Sequence, residues 1–316
     1  MFRRWCSPLC RGRGRKKLQS SAAARPGFPA HTFLRCRATA RLYLVEDGTF
    51  TIGTSAEYEP FEYMEDGEYK GFDLELAELI ADDLGLDFEI VNMDFDGLCA
   101  AVASGTKMDA AFGAITITPK REKQVDFTDS YYMDDQAIVT MKDNADITGD
   151  NYAEALNAEG VKIAVQSGST AEAFVNENFP KATAVPFKNA TDCFAALQSN
   201  QAVALVTNRS VAAQLTASSF DNEQVIKLIS TGEEYAIAVS KDNPGLKDAI
   251  NETLAKFSED GTIDALMEKY SIKLPLRIVT ARPPVRERGR AFAARCDADR
   301  VPVGGRGALR QSAPHD

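Results

Sequence analysis

The chain has 316 residues, a length suited to two domains of ordinary size, and its 36 Lys and Arg are outweighed by 46 Asp and Glu. The charge is partitioned: residues 1–41 carry 11 basic and no acidic residues, residues 277–316 carry 9 Arg and 4 acids, and the body between them is left with 16 basic and 42 acidic residues. So acidic a body lacks the basic footprint that nucleic acid requires, and with His31 and His315 both in the tails it has no imidazole for acid–base catalysis, a His-based triad or a metal site.

Of the six cysteines only Cys99 and Cys193 fall in the body, and none of the six forms a cluster with metal-ligand spacing. No cofactor and no metal are expected. Residues 1–41 are Arg-rich and acid-free, as organelle transit peptides are, and contain no apolar stretch long enough for a secretory signal. Cys36 follows Leu34 and Arg35, whereas a lipoprotein-type cleavage site wants a small residue there. Residues 276–316 share an Arg, Gly, Pro and Ala bias without helical or strand period. Both tails are expected to be disordered and foreign to the functional protein, the product of a wrong start and of read-through or a shifted frame. No run of about 20 apolar residues is present, so no transmembrane helix is expected.

Within the body, Thr49–Thr54 alternates as a first strand, followed by a loop containing Tyr58. Residues 62–70 read as a hairpin about Asp66-Gly67. A helix follows with Asp73 as N-cap, Leu76, Ala77, Ile80 and Leu84 on one face, and Gly85 as a left-handed C-cap. Phe88–Val91 is a short strand, Phe95 lies in the loop after it, and Asp96 caps a helix running to Ser104 and ended by Gly105. A strand is expected from Ala110 through Thr118, broken by Pro119, which suits the first turn of a helix. Later strands are expected over 136–141, 161–165 and 235–240, and helices from about Ala171, from Asn243-Pro244 and over 261–270.

The segment Ala100–Gly105 is echoed 95 residues later by Ala195–Asn200, and the strand 108–112 by 203–207. Gly and Asn are the two residues that most readily take a left-handed turn. Two lobes of similar design would bring the strand ends at Gly113-Ala114 and Asn208-Arg209 to opposite sides of one cleft.

Arg121 falls on the turn after Pro119, just past a strand's carboxyl end, where ligands of open α/β sheets sit. A guanidinium there takes a carboxylate with two parallel hydrogen bonds, and Thr116 and Thr118 supply hydroxyls beside it. After the strand at 161–165, Gln166-Ser167-Gly168-Ser169-Thr170 leads into a helix, a turn whose backbone N–H groups attract anions.

Thr118, Arg121, Val125, Asp126, Phe127, Thr128, Tyr131 and Tyr132 together resemble the signature of the extracellular solute-binding proteins of family 3, the polar amino acid-binding components of ABC importers that include the glutamine-binding proteins. The resemblance covers about residues 48–275. It implies a two-lobed α/β fold of the periplasmic-binding-protein type (type II), with a ligand cleft between lobes and two crossover strands near 133–138 and 231–236. Lobe 1 would comprise 42–133 and 235–275, and lobe 2 134–234. It also implies that Arg121 and Thr116 hold an amino acid's α-carboxylate, that Ala114 is among the ligand-binding residues, that Tyr58 and Phe95 pack on the ligand, and that Gln166, Ser169, Thr170 and Asn208 contribute from the second lobe.

The chain departs from the pattern at two places. Asn208 stands where the family's second lobe usually has an Asp for the α-ammonium group, so another acid must supply that charge or the ligand lacks an ammonium. Ser55 stands where many members have an Asp, which removes a partner for a cationic side chain. The expected role is a periplasmic or cell-surface monomer, with a lipid anchor as one form of attachment, that closes on an amino acid by a hinge and delivers it to membrane permease subunits. A dehydratase acting on a prephenate-like carboxylate is the rival on the same scaffold, and a detached sensor domain the second.

Overall fold

The computed structural model describes residues 42–272; the two Arg-rich tails expected at 1–41 and 276–316 lie outside the described residues. The chain opens with β1 (Thr49–Thr54), buried over almost its whole length. A small antiparallel sheet follows, made of β2 (Glu57–Tyr58), β3 (Glu62–Glu65) and β4 (Glu68–Lys70). Its hairpin turns at Asp66 and Gly67, both at positive φ, as the Asp-Gly pair predicts. Helix α1 (Phe72–Leu84) ends on left-handed Gly85. Its N-cap is Gly71, at φ 128, where a Cβ would stand 2.2 Å from the Phe61 carbonyl oxygen. Asp73 is therefore not the cap expected from the sequence. It lies inside the first turn, fully buried, and accepts hydrogen bonds from the Ala114 N–H and the Tyr131 hydroxyl, both at 2.8 Å.

Next come β5 (Asp87–Asn92), a 3-10 turn at Phe95–Gly97, α2 (Leu98–Ala103), β6 (Ala110–Ala111), α3 (Pro119–Glu122) and β7 (Asp126–Phe127). The helix expected from Asp96 is thus split, with Asp94 preceding the turn and Asp96 accepting instead from the Ser167 hydroxyl at 3.0 Å. The strand expected over 110–118 is cut to two residues. Ala114 sits at φ 46, outside the extended region, and only Thr116 rejoins a strand partner, as an isolated bridge to Tyr235.

The second half contains β8 (Tyr132–Met141), α4 (Tyr152–Leu156), β9 (Lys162–Gln166), α5 (Thr170–Asn178), β10 (Thr183–Phe187), α6 (Ala190–Gln198), β11 (Ala204–Asn208) and α7 (Arg209–Ser218). It closes with β12 (Glu223–Tyr235), β13 (Ala238–Val239), α8 (Pro244–Glu259) and α9 (Thr262–Lys269). Sequence periodicity misses β10, which contains Pro186 and is only half-buried, and most of β12, whose polar, charged face shows no clean alternation.

Two five-stranded mixed sheets result, one per lobe. The first has the order β5-β1-β6-β13-β7, parallel from β5 to β6 and antiparallel at β13. The second has the order β10-β9-β11-β8-β12, parallel over its first three strands and antiparallel at β8 and β12. Between them run two paired strands: Tyr132, Met133 and Asp134 of β8 lie opposite Tyr235, Glu234 and Glu233 of β12. Phe61, Tyr132 and Tyr235 pack ring against ring at this crossing, with centroids 5.4–5.6 Å apart. Such a cluster is aromatic, buried and shared by both crossing strands, so it anchors them to the first lobe.

A register shift between Ile229 and Glu233 interrupts β12 at this point. Gly232 takes φ 62 and gives its N–H to the Asp135 carboxylate at 3.0 Å, while the Thr231 hydroxyl accepts the Gln136 N–H at 3.2 Å. A bulge of this kind re-aims the side chain that follows it. Here that side chain is Glu233, and it points into the cleft.

Candidate functional site

Each lobe brings one loop and one strand end to the cleft. On the first, Thr118 adopts an extended conformation and its hydroxyl accepts the Arg121 N–H, which caps the short helix α3 and fixes the base of the Arg121 side chain. The guanidinium then spans the cleft. Nη1 donates to the Thr116 carbonyl at 2.8 Å, and Nη2 to the Gly168 carbonyl of the opposite lobe at 3.1 Å. Its carbon lies 5.3 Å from the centre of the Phe95 ring, within cation–π reach. Burial draws the guanidinium below its usual basicity, and among the groups drawing it back is the nearby charge of Glu233. Arg121 remains a cation.

The second sheet contributes Asn208 at the end of β11, 6 % exposed. Tyr58, from β2 on the other side, donates its hydroxyl to the Asn208 side-chain oxygen at 2.6 Å and lies 3.3 Å from the Thr207 hydroxyl. Burial pushes the Tyr58 hydroxyl far above the ordinary phenol range, so it acts as a neutral donor. With its oxygen held by Tyr58, the Asn208 amide turns its N–H toward Glu233 at 3.2 Å.

Glu233 is the centre of the network and was not among the residues expected from the sequence. Oε2 accepts from the hydroxyls of Thr116 and Thr170, both at 2.7 Å, as well as from Asn208. Oε1 accepts from the Gln136 amide at 2.5 Å and the Thr231 hydroxyl at 3.4 Å. Gln136 also reaches the Thr170 hydroxyl at 3.1 Å. The only sequence signal for Glu233 was the absence of an acid at 208, which says that a charge is missing without saying where it went.

The structure therefore brings Tyr58, Phe95, Thr116, Arg121, Thr170 and Asn208 together. The other three expected residues have partners outside this network. The Ala114 N–H is held by Asp73, so this residue shapes the loop before Thr116. The Ser169 hydroxyl caps α5 by accepting the Glu172 N–H and donates to the Gln166 carbonyl. The Gln166 amide donates to the Lys188 carbonyl at 3.3 Å.

Polar contacts also cross the cleft rim. Lys188 pairs with Asp94 at 2.6 Å, Thr191 bonds Glu57 at 3.2 Å, and Gln214 bonds Glu59 at 2.8 Å. The second cation at the cleft, Arg209, is already committed to the buried Asp134 carboxylate at 3.2 Å. Among the described residues there is no group of three or more His, Cys, Asp and Glu arranged to hold a metal ion, and no helix is long and apolar enough to cross a membrane.

Two α/β lobes joined by paired crossing strands, with an arginine and a carboxylate facing one interlobe cleft, define a ligand-binding protein of the periplasmic-binding-protein class. The chain belongs to the bacterial extracellular solute-binding proteins, family 3, whose family model matches residues 50–273. It is 32 % identical over 226 residues to the arginine-binding extracellular protein ArtP of Bacillus subtilis (strain 168), covering 69 % of this chain and 84 % of that one. It is 31 % identical to a probable histidine-binding protein of Campylobacter jejuni, covering 71 % of this chain and 86 % of the relative. Among solved structures, an ancestral arginine-binding protein bound to arginine is 37 % identical with a TM-score of 0.66, covering 71 % of this chain and 98 % of that one. The ancestral amino acid-binding protein AncCDT-1, described as a precursor of cyclohexadienyl dehydratase, is 38 % identical with the same TM-score, covering 71 % of this chain and 95 % of the other.

Proposed function

We propose that the chain is the extracellular binding component of an ABC importer for an α-amino acid, and that Arg121 holds the ligand's α-carboxylate. The observation that carries this reading is the placement of the guanidinium. It is fixed at its base by Thr118, backed by Phe95, and held by carbonyl oxygens on both sides of the cleft, without a carboxylate partner of its own among the described ion pairs. A desolvated cation whose hydrogen bonds go to carbonyl dipoles gains most from an anion that accepts both N–H groups at once.

In this reading lobe 1 comprises 42–133 with 235–275, and lobe 2 comprises 134–234. Ligand draws the lobes together about the paired segments of β8 and β12, and the closed form delivers it to permease subunits at the membrane. The names of the relatives, which bind arginine, histidine, glutamine or cystine, support an amino acid as the ligand class. The same names favour binding over the dehydratase reading, which one neighbour's description as a dehydratase precursor keeps in view.

The test is calorimetric titration and a thermal-shift screen of the chain against the common amino acids, repeated with Arg121→Ala. At ligand concentrations about 100 times the dissociation constant, binding adds about 2.7 kcal/mol of stability and raises the melting temperature by several degrees. Arg121→Ala is expected to lose at least about 100-fold in affinity while its unliganded melting temperature holds. Unchanged affinity in that variant overturns the assignment.

A further inference from the structure

Two opposite charges lie close together in the cleft, and no ion pair among the described residues joins them. Arg121 donates to the carbonyls of Thr116 and Gly168. Glu233, only 7 % exposed, accepts from Thr116, Thr170, Asn208, Gln136 and Thr231, all neutral donors. The ion pairs among the described residues do not include it. Burying a carboxylate is costly unless it is paired or well hydrogen-bonded, and hydroxyls and amides meet that need without cancelling the charge. The protein thus keeps a desolvated anion ready beside a desolvated cation.

Thr116 sets their spacing. Its carbonyl accepts from Arg121 and its hydroxyl donates to Glu233, so the two charges flank a single residue. An α-amino acid carries a carboxylate and an ammonium group on one carbon, which is the same arrangement with the signs exchanged. The hydroxyls of Thr116 and Thr170 are rotors, free to turn from Glu233 to a ligand oxygen as an ammonium group takes their place. Asn208 brings no charge to that group: its oxygen already accepts from Tyr58 and its N–H faces Glu233.

We propose that Glu233, aimed into the cleft by the bulge in β12, is the receptor for the ligand's α-ammonium group and makes the site select α-amino acids over carboxylates that lack the amine. Asn208 and Tyr58 orient it from the second and first lobes, and the charge sits on a crossing strand, so ammonium binding is coupled directly to the hinge. The inference rests on Arg121 holding the carboxylate.

The experiment compares wild-type chain, Glu233→Gln, and Glu233→Gln combined with Asn208→Asp by calorimetric titration. The probes are L-arginine and L-glutamine, each set against its deaminated counterpart, δ-guanidinovaleric acid and glutaramic acid. The wild type is expected to prefer at least one amino acid over its deaminated analogue by about tenfold or more. Glu233→Gln is expected to lose about 10- to 100-fold for the amino acid and little for the analogue, since a charge-assisted bond becomes a neutral one. The double variant, which restores one carboxylate beside the original, is expected to recover part of that preference.

If the wild type binds neither amino acids nor analogues, the amino acid reading itself fails. Several outcomes overturn the role of Glu233 alone. One is wild-type binding that Glu233→Gln leaves within about threefold. Another is equal loss for amino acid and analogue. A third is loss confined to the guanidinium-bearing probes, which would assign the carboxylate to a ligand's side chain.

Discussion

In the first lobe the turn after α2 puts Gly105 at φ 61 and the chain enters β6; in the second, 95 residues later, the turn after α6 puts Asn200 at φ 57 and the chain enters β11. Up to this point the two lobes follow one plan. At the strand ends they part. The second lobe passes straight from Asn208 into α7. The first makes a loop through Ala114 at φ 46, pinned to the buried Asp73, before Thr116 and the Arg121 turn. A repeated scaffold thus carries two different surfaces: a cation on an aromatic backing from one side, and neutral hydroxyls and amides from the other. The balancing anion comes from neither strand end but from the crossing strand, so the connection between the lobes is part of the site.

The largest effect expected from breaking this comparison lies in the cores. Phe61→Ala removes a fully buried ring from the cluster that holds both crossing strands, and should cost about 3–5 kcal/mol in urea unfolding. Because Tyr132 and Tyr235 lose their support, ligand affinity should fall as well. Leu156→Ala, in the separate core of the second lobe, should cost about 2–5 kcal/mol and leave affinity unchanged. Affinity that falls equally in both variants would show that the cleft depends on global stability and not on the crossing cluster.

Acid and base behaviour should separate the lobes next. In the first, burial pushes the Asp73 carboxyl up to about 6, partly offset by the hydrogen bonds it accepts from Ala114 and Tyr131. In the second, burial pushes Glu223 up to about 8, with both oxygens unpartnered among the described residues. A carboxyl whose folded pKa is raised binds its proton more tightly in the folded state. Its penalty is absent below the unfolded pKa and complete above the folded one, so stability falls as pH rises through the interval. For Asp73 this window runs from 3.8 to about 6 and amounts to about 3 kcal/mol. For Glu223 it runs from 4.5 to about 8. Asp73→Asn should flatten the lower part of a plot of unfolding free energy against pH, and Glu223→Gln the upper part. A profile unchanged by both would show that the two carboxyls do not titrate as their burial requires.

The smallest effect belongs to the rim. Lys188 and Asp94 pair across the cleft mouth but are largely exposed. Lys188→Ala should weaken ligand affinity by no more than a few-fold at low ionic strength, and the difference should vanish at about 1 M salt, where the screening length is about 3 Å. A salt-independent loss would show that the pair acts as a latch and not as a screened surface contact.

Much of this was legible along the chain because the signals are local. Gly85 as a left-handed C-cap, the Asp66-Gly67 turn, Thr118-Pro119 before a helical turn, and the helices from Pro244 and Thr262 depend on residues within a few positions of one another. The short family signature then pointed to Arg121; Thr116 and Phe95 contact its guanidinium, while Thr170, Asn208 and, through Asn208, Tyr58 join the network of Glu233. One miss was of another kind. Asp73 has the chemistry of an N-cap and stands two residues past it, because its carboxylate serves Ala114 and Tyr131, 41 and 58 residues away. Ser169 caps α5, while Gln166 ends β9 and donates its amide to the Lys188 carbonyl 22 residues away.

The sequence by itself determined the family, the two-lobe plan and the cation of the cleft, because turn chemistry, caps and a short spaced motif survive without knowledge of what packs where. Only the tertiary structure decided where the anion is. Glu233 lies in a polar, charged strand without readable periodicity, 112 residues from Arg121, and its direction depends on a bulge and a register shift against β8. Its donors come from Thr116, Gln136, Thr170, Asn208 and Thr231, which meet only when the lobes and the crossing strands are assembled. Register across paired strands is set by long-range packing, and no local pattern encodes it.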